Sequence, residues 1–306
     1  MRTTLQHIYH KSYALIGVGA FNVFNIEQLI GVFRGVQKVG GPVIIQFTPV
    51  ARNYIFPEML DAMINAAEKK YPDVEFVVHL DHGNYEHCIS AIESGSYGSV
   101  MIDASYKPFE ENIRITNEIV GYAHSRGIAV EAELGVLSGM EDDTSVDEKS
   151  SKYTNPDLAK EFVERTHCDS LAVAIGTSHG AYKFSGGNGI QLDLLGKIQE
   201  LLPGFPLVLH GASSVPANEV ERINNAGGCI RADAKGTSNS ELLQAIKLGV
   251  CKINIATDMR LIWTRVHREF FRDEPDKFDM VIPGTIYMDE LEKFVIQKCL
   301  SLREII

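Results

Sequence analysis

Short apolar runs alternate along the chain with longer amphipathic segments. FVVHLDH and PLVLHG are typical of these runs, because they are apolar on both faces and turn polar only at the end. This is the pattern of a parallel strand buried beneath helices. The predicted strands are residues 20–25, 42–48, 75–82, 99–105, 129–135, 170–176, 206–211 and 252–258.

The amphipathic segments between the runs have the length and spacing of helices. They are residues 26–39, 57–70, 85–94, 109–125, 156–166, 191–202, 217–225 and 240–248. Eight strand–helix repeats favour a closed (β/α)8 TIM barrel, with a doubly wound open sheet as the alternative. Two further helices, residues 259–272 and 289–302, are predicted outside the barrel, and we expect one domain over residues 1–306.

Two segments interrupt the repeat. Residues 139–153 are acidic and follow the fifth predicted strand, so they form either a lid over the catalytic face or a solvated surface loop. Residues 226–239 are rich in glycine and are interpreted as a mobile loop or a tolerated insertion.

Charge and cysteine usage narrow the class of protein. The 40 acidic and 29 basic residues give a net charge of −11, which disfavours a nucleic-acid surface. The five cysteines are scattered without a CxxC pair, so neither a disulfide framework nor a thiolate zinc site is expected. With no predicted signal peptide or membrane span, a soluble protein of the reducing cytoplasm is the interpretation.

Candidate metal ligands stand at the ends of four predicted strands. His82, Glu133, His179 and His210 lie at or just past the carboxyl ends of the third, fifth, sixth and seventh strands, which converge in a barrel. A single histidine in such a place is commonly a hydrogen-bonded core group. Three imidazoles with a carboxylate instead predict a catalytic zinc site, although such ligands also accept cobalt or iron.

Asp81 immediately precedes His82 in HLDHGN. Neighbouring strand residues face opposite sides, so both reach one site only if the chain turns there, and Gly83 with Asn84 favours that turn. Asp81 is then a general acid/base, or alternatively a helix N-cap or a partner for a histidine. His79 could orient the site without binding metal.

Small residues follow the last strands in GTSHGAYKF, HGASS and NIATD. Amides and hydroxyls in such places commonly hold a phosphate in a barrel. The predicted phosphate ligands are Gly180, Lys183, Gly211, Ser213 and Thr257.

HLDHG, MIDAS, EAELG, GTSHGAYK, LHGAS and KINIATD occur in this order over nearly the whole chain. The ordered set resembles the class II fructose-bisphosphate aldolases and their ketose-bisphosphate relatives. The resemblance implies zinc at His82, His179 and His210, with Glu133 at the metal or its alternate position. It also implies Asp81 as proton donor to the leaving aldehyde oxygen.

The resemblance implies three further assignments. Glu141, in GMEDD, matches a loop acid that transfers a proton at the carbon next to the carbonyl, and Asn254 matches a contact of the enediolate. The C1-phosphate site can include a monovalent cation. Members commonly form dimers or tetramers, so a homo-oligomer is expected, with a sugar phosphate as the substrate.

Departures from the family pattern concern the substrate. Thr48 stands where fructose-specific members commonly have serine, and Ala256 replaces an aspartate, as in the tagatose-bisphosphate subgroup. The segment FDMVIPGTIYMDEL lacks an arginine that many members have near there, where it binds the distal phosphate from a neighbouring subunit. Arg52 or Arg231 could substitute for it. Fructose 1,6-bisphosphate is the first expectation, and tagatose 1,6-bisphosphate or another ketose 1-phosphate is the alternative.

Two other classes of function fit the sequence less well. A zinc hydrolase on the same barrel commonly has an HxH pair at the first strand, whereas this strand ends FNVFN. A non-catalytic sugar-phosphate-binding barrel would be expected to lose Asp81 or a metal ligand, and both are present.

Overall fold

A computed structural model describes residues 1–136, 152–178, 180, 189–231 and 234–303, together with the backbone of 139–141 and 144–146. The strands in this part of the chain are β1 (Val18–Asn22), β2 (Val43–Phe47), β3 (Phe76–Gly83), β4 (Ser99–Ile102), β5 (Ala129–Leu134), β6 (Gly139–Glu141), β7 (Thr144–Val146), β8 (Ser170–Val173), β9 (Leu207–Leu209) and β10 (Val250–Ile255).

Eight of these strands form a closed parallel barrel in the order β1-β10-β9-β8-β5-β4-β3-β2. The register places Asn22 beside Gln46 and Gln46 beside His79, so polar side chains from neighbouring strands meet inside the barrel. The prediction of a TIM barrel is confirmed, and the doubly wound alternative is wrong. That residues 1–306 form one domain stays a prediction.

Helices cover the barrel from outside. They are α1 (Leu5–Ser12), α2 (Ile26–Val39), α3 (Pro49–Ile55), α4 (Pro57–Lys70), α5 (Tyr85–Ser94), α6 (Phe109–His124), α7 (Pro156–Thr166), α8 (Leu192–Leu201), α9 (Ala217–Asn225), α10 (Asn239–Lys247), α11 (Thr257–Asp273) and α12 (Val281–Ser301). Several begin at side-chain caps, such as Asn25 on the Gln28 amide and Asn155 on the Leu158 amide.

Three helical features were not predicted. The helix α1 packs Leu5, Ile8 and Tyr9 against the start of the barrel strands. The short α3 follows Thr48, whose side chain accepts a hydrogen bond from the Ala51 amide. The helix α12 begins eight residues before the expected 289, because Pro283 lies in its first turn, where a missing N–H costs nothing.

One of the two interrupting segments contains regular structure. Within the expected loop 139–153, β6 pairs antiparallel with β7. The helices predicted outside the barrel are α11 and α12, and α11 starts at Thr257 rather than 259. No helix in the described ranges is long and apolar enough to cross a membrane.

Candidate active site

Paired residues on three strands build the site in two layers. Since side chains two apart on a strand face the same side, His79 and Asp81, Glu131 and Glu133, and Lys252 and Asn254 all point into the barrel. The first member of each pair lies deeper. The second lies nearer the carboxyl end, where barrel enzymes bind their substrates.

The end of β3 is irregular at His82. This residue has a φ of +50°, and the pairing with β4 shifts register between Leu80 and Gly83. A left-handed backbone is uncommon for a residue other than glycine and is typical of functional sites. The irregularity lets Asp81 and His82 face the same site, as the sequence required, although the turn falls at His82 rather than at Gly83.

His82, His210 and Glu133 lie close together. The imidazole rings of His82 and His210 have centroids 4.5 Å apart, and a Glu133 carboxylate oxygen lies 3.8 Å from Nδ1 of His82 and 3.9 Å from Nδ1 of His210. One ligand atom each from Asp81, His82 and His210 also falls within a 4.8 Å cluster. Such a nitrogen and oxygen set fits a divalent transition metal.

A carboxylate fixes the orientation of both His82 and His210. His82 Nδ1 donates to Asp103 Oδ2 at 2.9 Å, so Nε2 is the nitrogen that a metal would take. Burial alone would raise the pKa of Asp103, but hydrogen bonds from His82 and Ser105 outweigh it and bring the pKa to about 2. The ionised Asp103 therefore holds His82 in one tautomer.

His210 is held in the opposite sense. Its Nε2 lies 3.0 Å from Glu131 Oε1, so Nδ1 is the nitrogen available to a metal. Burial and the nearby His82 lower the pKa of His210, which favours the neutral imidazole that binds metals. Burial would raise the pKa of Glu131, but Lys252 and His210 outweigh it and hold that pKa below its usual value.

Beneath His82, His210 and Glu133 lies a buried polar layer. Lys252 Nζ is 2.9 Å from Glu131 Oε2 and 3.2 Å from His79 Nε2, and His79 Nδ1 is 2.8 Å from Ser99 Oγ. All four residues have no exposed surface. Burial, reinforced by Lys252, holds the pKa of His79 well below its usual value, so His79 accepts from the ammonium as a neutral ring. The layer ties the support of His210 to the four strands β3, β4, β5 and β10.

Three side-chain amides surround Asp81. Asn22 Nδ2 donates to Oδ2 at 2.7 Å, Gln46 Nε2 to the same oxygen at 3.3 Å, and Asn254 Nδ2 to Oδ1 at 3.1 Å. Distance alone would admit Asp81 as a metal ligand. Because both of its oxygens accept hydrogen bonds from amides, a proton-transfer role suits it better.

The loops after β8 and β9 meet backbone to backbone. Gly211 has a φ of +61°, and a Cβ there would lie 2.5 Å from the Ser178 carbonyl oxygen, so only glycine fits. Ser213 is buried in the same loop, and Thr257 opens α11 beyond β10. The predicted phosphate ligands thus follow three adjacent strands: Gly180 follows β8, Gly211 and Ser213 follow β9, and Thr257 follows β10.

The remaining predicted site residues are placed as follows. Thr48 is buried and caps α3. Glu141 lies in β6 with only its backbone described, and His179 and Lys183 fall outside the described residues. Arg52, suggested for the distal phosphate, is 5 % exposed and donates to the His87 carbonyl and Ser90 Oγ, so its guanidinium packs on α5.

Sequence reasoning missed several polar residues of the site. They are Asn22, Gln46, Asp103, Glu131 and Lys252. The period-two pattern could have found Glu131 and Lys252, since each stands two residues before a predicted site residue on the same strand. Asp103, in the MIDAS motif, stands directly after β4.

Comparisons with known proteins agree with this geometry. A family model described as fructose-bisphosphate aldolase class-II matches residues 1–303. A fructose-bisphosphate aldolase of Giardia intestinalis is 47 % identical over 266 residues, which cover 86 % of this chain and 80 % of that protein. One from Thermus caldophilus is 44 % identical over 264 residues, covering 86 % and 85 %.

A solved structure extends the likeness to the fold. The YdjI aldolase from Escherichia coli K12 superposes with a TM-score of 0.78 at 30 % identity, covering 99 % of this chain and 97 % of that one. With the family model matching almost every residue, the conclusion concerns the whole barrel. The chain belongs to the class II fructose-bisphosphate aldolase family.

Proposed function

We propose that this class II aldolase cleaves fructose 1,6-bisphosphate between C3 and C4, giving glycerone phosphate and glyceraldehyde 3-phosphate. The observation that carries the proposal is the position of Asp81. Three amides orient it next to His82, His210 and Glu133, the candidate metal ligands. The relatives from Giardia and Thermus are named fructose-bisphosphate aldolases. Tagatose 1,6-bisphosphate is the second candidate, favoured by Ala256.

Zinc is the proposed cofactor, held by His82, His179 and His210 with Glu133 as a ligand or an alternate one. When bound, such a cation polarises the ketone carbonyl and stabilises the negative charge left as the C3–C4 bond breaks. Asp103 and Glu131 support the proposal, because they give His82 and His210 the tautomers that a metal requires.

Asp81 is proposed to take the proton of the C4 hydroxyl as the C3–C4 bond breaks, so that C4 leaves as an aldehyde. In the reverse direction it returns that proton to the new hydroxyl. Asn22, Gln46 and Asn254 hold the carboxylate in one orientation, which lowers the cost of reaching the reactive geometry. Glu141 is proposed to protonate C3 of the remaining three-carbon fragment.

The phosphate on C1 is proposed to bind where the loops after β8, β9 and β10 meet. Gly180, Gly211, Ser213 and Thr257 would supply amides and hydroxyls, and Lys183 would supply charge. The close packing of Gly211 on Ser178 supports this site, since it brings two of these loops together. A monovalent cation is proposed beside the same phosphate.

The distal part of the substrate is proposed to enter a cleft of about 400 Å³ at the catalytic rim. Phe24, Val50 and Arg260, which line it, come soon after the ends of β1, β2 and β10, so the cleft opens at the same end of the barrel as Asp81. The Arg260 guanidinium lies 4.6 Å from the Phe24 ring centroid and is exposed. A cation there suits a distal phosphate.

Replacing Arg260 by glutamine tests the distal site. We expect the KM for fructose 1,6-bisphosphate to rise about tenfold or more, because a charge-assisted hydrogen bond to the phosphate is lost. The KM for fructose 1-phosphate, which lacks that phosphate, should not change. Arg268→Gln, on an exposed arginine of the same helix, is the matched control. An equal change in KM for both sugars would exclude Arg260 from the distal site.

The substrate itself is tested by steady-state cleavage of fructose 1,6-bisphosphate and tagatose 1,6-bisphosphate by the zinc-loaded protein. A higher kcat/KM for the fructose sugar supports the proposal, and a clear preference for the tagatose sugar would replace it.

We also propose a homo-oligomer, either dimer or tetramer, in the cytoplasm. Phe278, Met280 and Val281 are each at least 75 % exposed, and exposed apolar side chains in one segment suit a subunit contact. All five cysteines are free, in keeping with a reducing compartment. Light scattering on the protein as it elutes from a size-exclusion column measures the oligomeric state.

A further inference from the structure

We propose that Lys298 of α12 is a positioning residue for the phosphate-binding loop after β9, residues 211–215. The inference rests on the proposed C1-phosphate site and names a residue, far away in the sequence, on which that site depends. Lys298 does not touch the phosphate in this proposal. It acts by holding Ser214, the neighbour of Ser213, in place.

One side of the loop is held by two charged groups. Lys298 Nζ donates to Ser214 Oγ at 2.7 Å. The Asp258 carboxylate accepts from the backbone amides of Ser214 and Val215 at 2.9 and 2.8 Å. Opposite charges therefore both hold Ser214, Lys298 through the side chain and Asp258 through the backbone amide, and Asp258 also holds Val215.

The other side of the loop is equally constrained. The Thr237 amide donates to the Ser213 carbonyl at 3.0 Å, and a Cβ on Gly236 would overlap that carbonyl oxygen. Val215 has a φ of +45°, a backbone conformation that a β-branched residue adopts only when its surroundings impose it. Lys298 and Asp258 therefore hold a conformation that the loop does not prefer alone.

The chemistry of Lys298 argues against a role in stability alone. The residue is 4 % exposed on the apolar inner face of α12, between Val295 and Leu302. Burial lowers the pKa of Lys298, although Asp258 opposes that shift. A buried ammonium costs desolvation that methionine of similar length would not, so a lysine here is better explained by its bond to Ser214.

A fixed loop matters because a phosphate is bound best by donors that are already in place. Ordering a donor during binding costs free energy and therefore weakens the affinity for the phosphate. Loss of the Lys298 bond should therefore weaken the phosphate grip. The arrangement of His82, His210 and Asp81, on β3 and at the end of β9, should be retained.

The first test is Lys298→Met, with Lys293→Met on the exposed face of the same helix as the control. The probe is sn-glycerol 3-phosphate, an unreactive phosphate monoester, titrated calorimetrically into the zinc-loaded protein. We expect about tenfold weaker binding for Lys298→Met and unchanged binding for Lys293→Met. The KM should rise in proportion, with kcat reduced less. Unchanged probe affinity in a folded Lys298→Met protein would overturn the proposal.

The second test asks whether Lys298 acts through Ser214. Ser214→Ala removes the acceptor of the Lys298 hydrogen bond without altering α12, and it should also weaken binding of the probe. In the double variant, Lys298→Met should add nothing further to the loss caused by Ser214→Ala. If the fold losses in probe affinity of the two single variants multiply in the double variant, Lys298 acts by another route and the assignment is overturned.

Calorimetry with glycerol 3-phosphate does not depend on which sugar is cleaved. If the parent protein binds the probe but cleaves neither bisphosphate, the proposed substrate is wrong and the Lys298 test still stands. If Lys298→Met binds the probe normally while the parent cleaves fructose 1,6-bisphosphate, only the positioning role fails.

Discussion

We expect Asp81→Ala to lower the cleavage activity by about 10²- to 10⁴-fold while zinc stays bound, because a general acid/base is removed. The physical reason is that Asp81 is the group proposed to accept the C4 hydroxyl proton, and the described side chains that hydrogen-bond to it are not bases. Asn22, Gln46 and Asn254 orient the Asp81 carboxylate, and their amides donate protons rather than accept them. The measurement is kcat for fructose 1,6-bisphosphate, with zinc content determined on the same sample.

Asp73→Ala is the matched control, since Asp73 is an exposed aspartate before β3. Circular dichroism should show that both variants keep the fold. Turnover within a few-fold of the parent in zinc-loaded Asp81→Ala would remove Asp81 from the mechanism. Loss of zinc in that variant would instead point to Asp81 as a metal ligand, which its distance to His82 and His210 allows.

His210→Ala should lower the affinity for zinc by more than about 100-fold, beyond the effect of mutating a residue that only supports a ligand. His210 lies at the end of β9 with its Nδ1 turned toward Glu133 and its Nε2 fixed by Glu131. Removing the ring takes away a metal-binding nitrogen that a water molecule replaces poorly. The measurement is zinc bound in competition with a chelator of known affinity.

His10→Ala, an exposed histidine in α1, controls for unspecific binding by surface imidazoles. The His210→Ala protein must also be shown to be folded, because His210 is fully buried and its loss leaves a cavity. Full zinc occupancy in a folded His210→Ala protein would contradict the ligand assignment.

Much of the barrel was predictable because its local signals agree. The ends of α2, α4, α5, α7 and α9 match the predicted segments residue for residue, since caps and flanking turns mark them. The start of α12 was not predictable by the same rules. Pro283 and Gly284 have the pattern of a turn, and only packing reveals that they begin a helix.

The outer layer of the site was predicted from the sequence, and the inner layer was missed. Asp81, Glu133 and Asn254 stand at strand ends, where barrel chemistry is expected. Glu131 and Lys252 stand in the middle of strands, and charged residues there are ordinarily excluded from a core. Only the barrel brings them together across β5 and β10, so that each neutralises the other.

The amides around Asp81 illustrate a different limit. Asn22 and Gln46 belong to β1 and β2, and no local pattern distinguishes them from ordinary polar residues at strand ends. Their role depends on the parallel register that places them side by side next to β3. The left-handed backbone at His82 likewise follows from strand pairing, which a sequence does not display.

The most direct test of the account is release of glycerone phosphate from fructose 1,6-bisphosphate by the purified protein, before and after treatment with a chelator and after zinc is restored. We predict cleavage that disappears with the chelator and returns with zinc. Cleavage that persists after complete removal of metal would contradict a metal-dependent aldolase, and no cleavage by the fully zinc-loaded protein would contradict fructose 1,6-bisphosphate as its substrate.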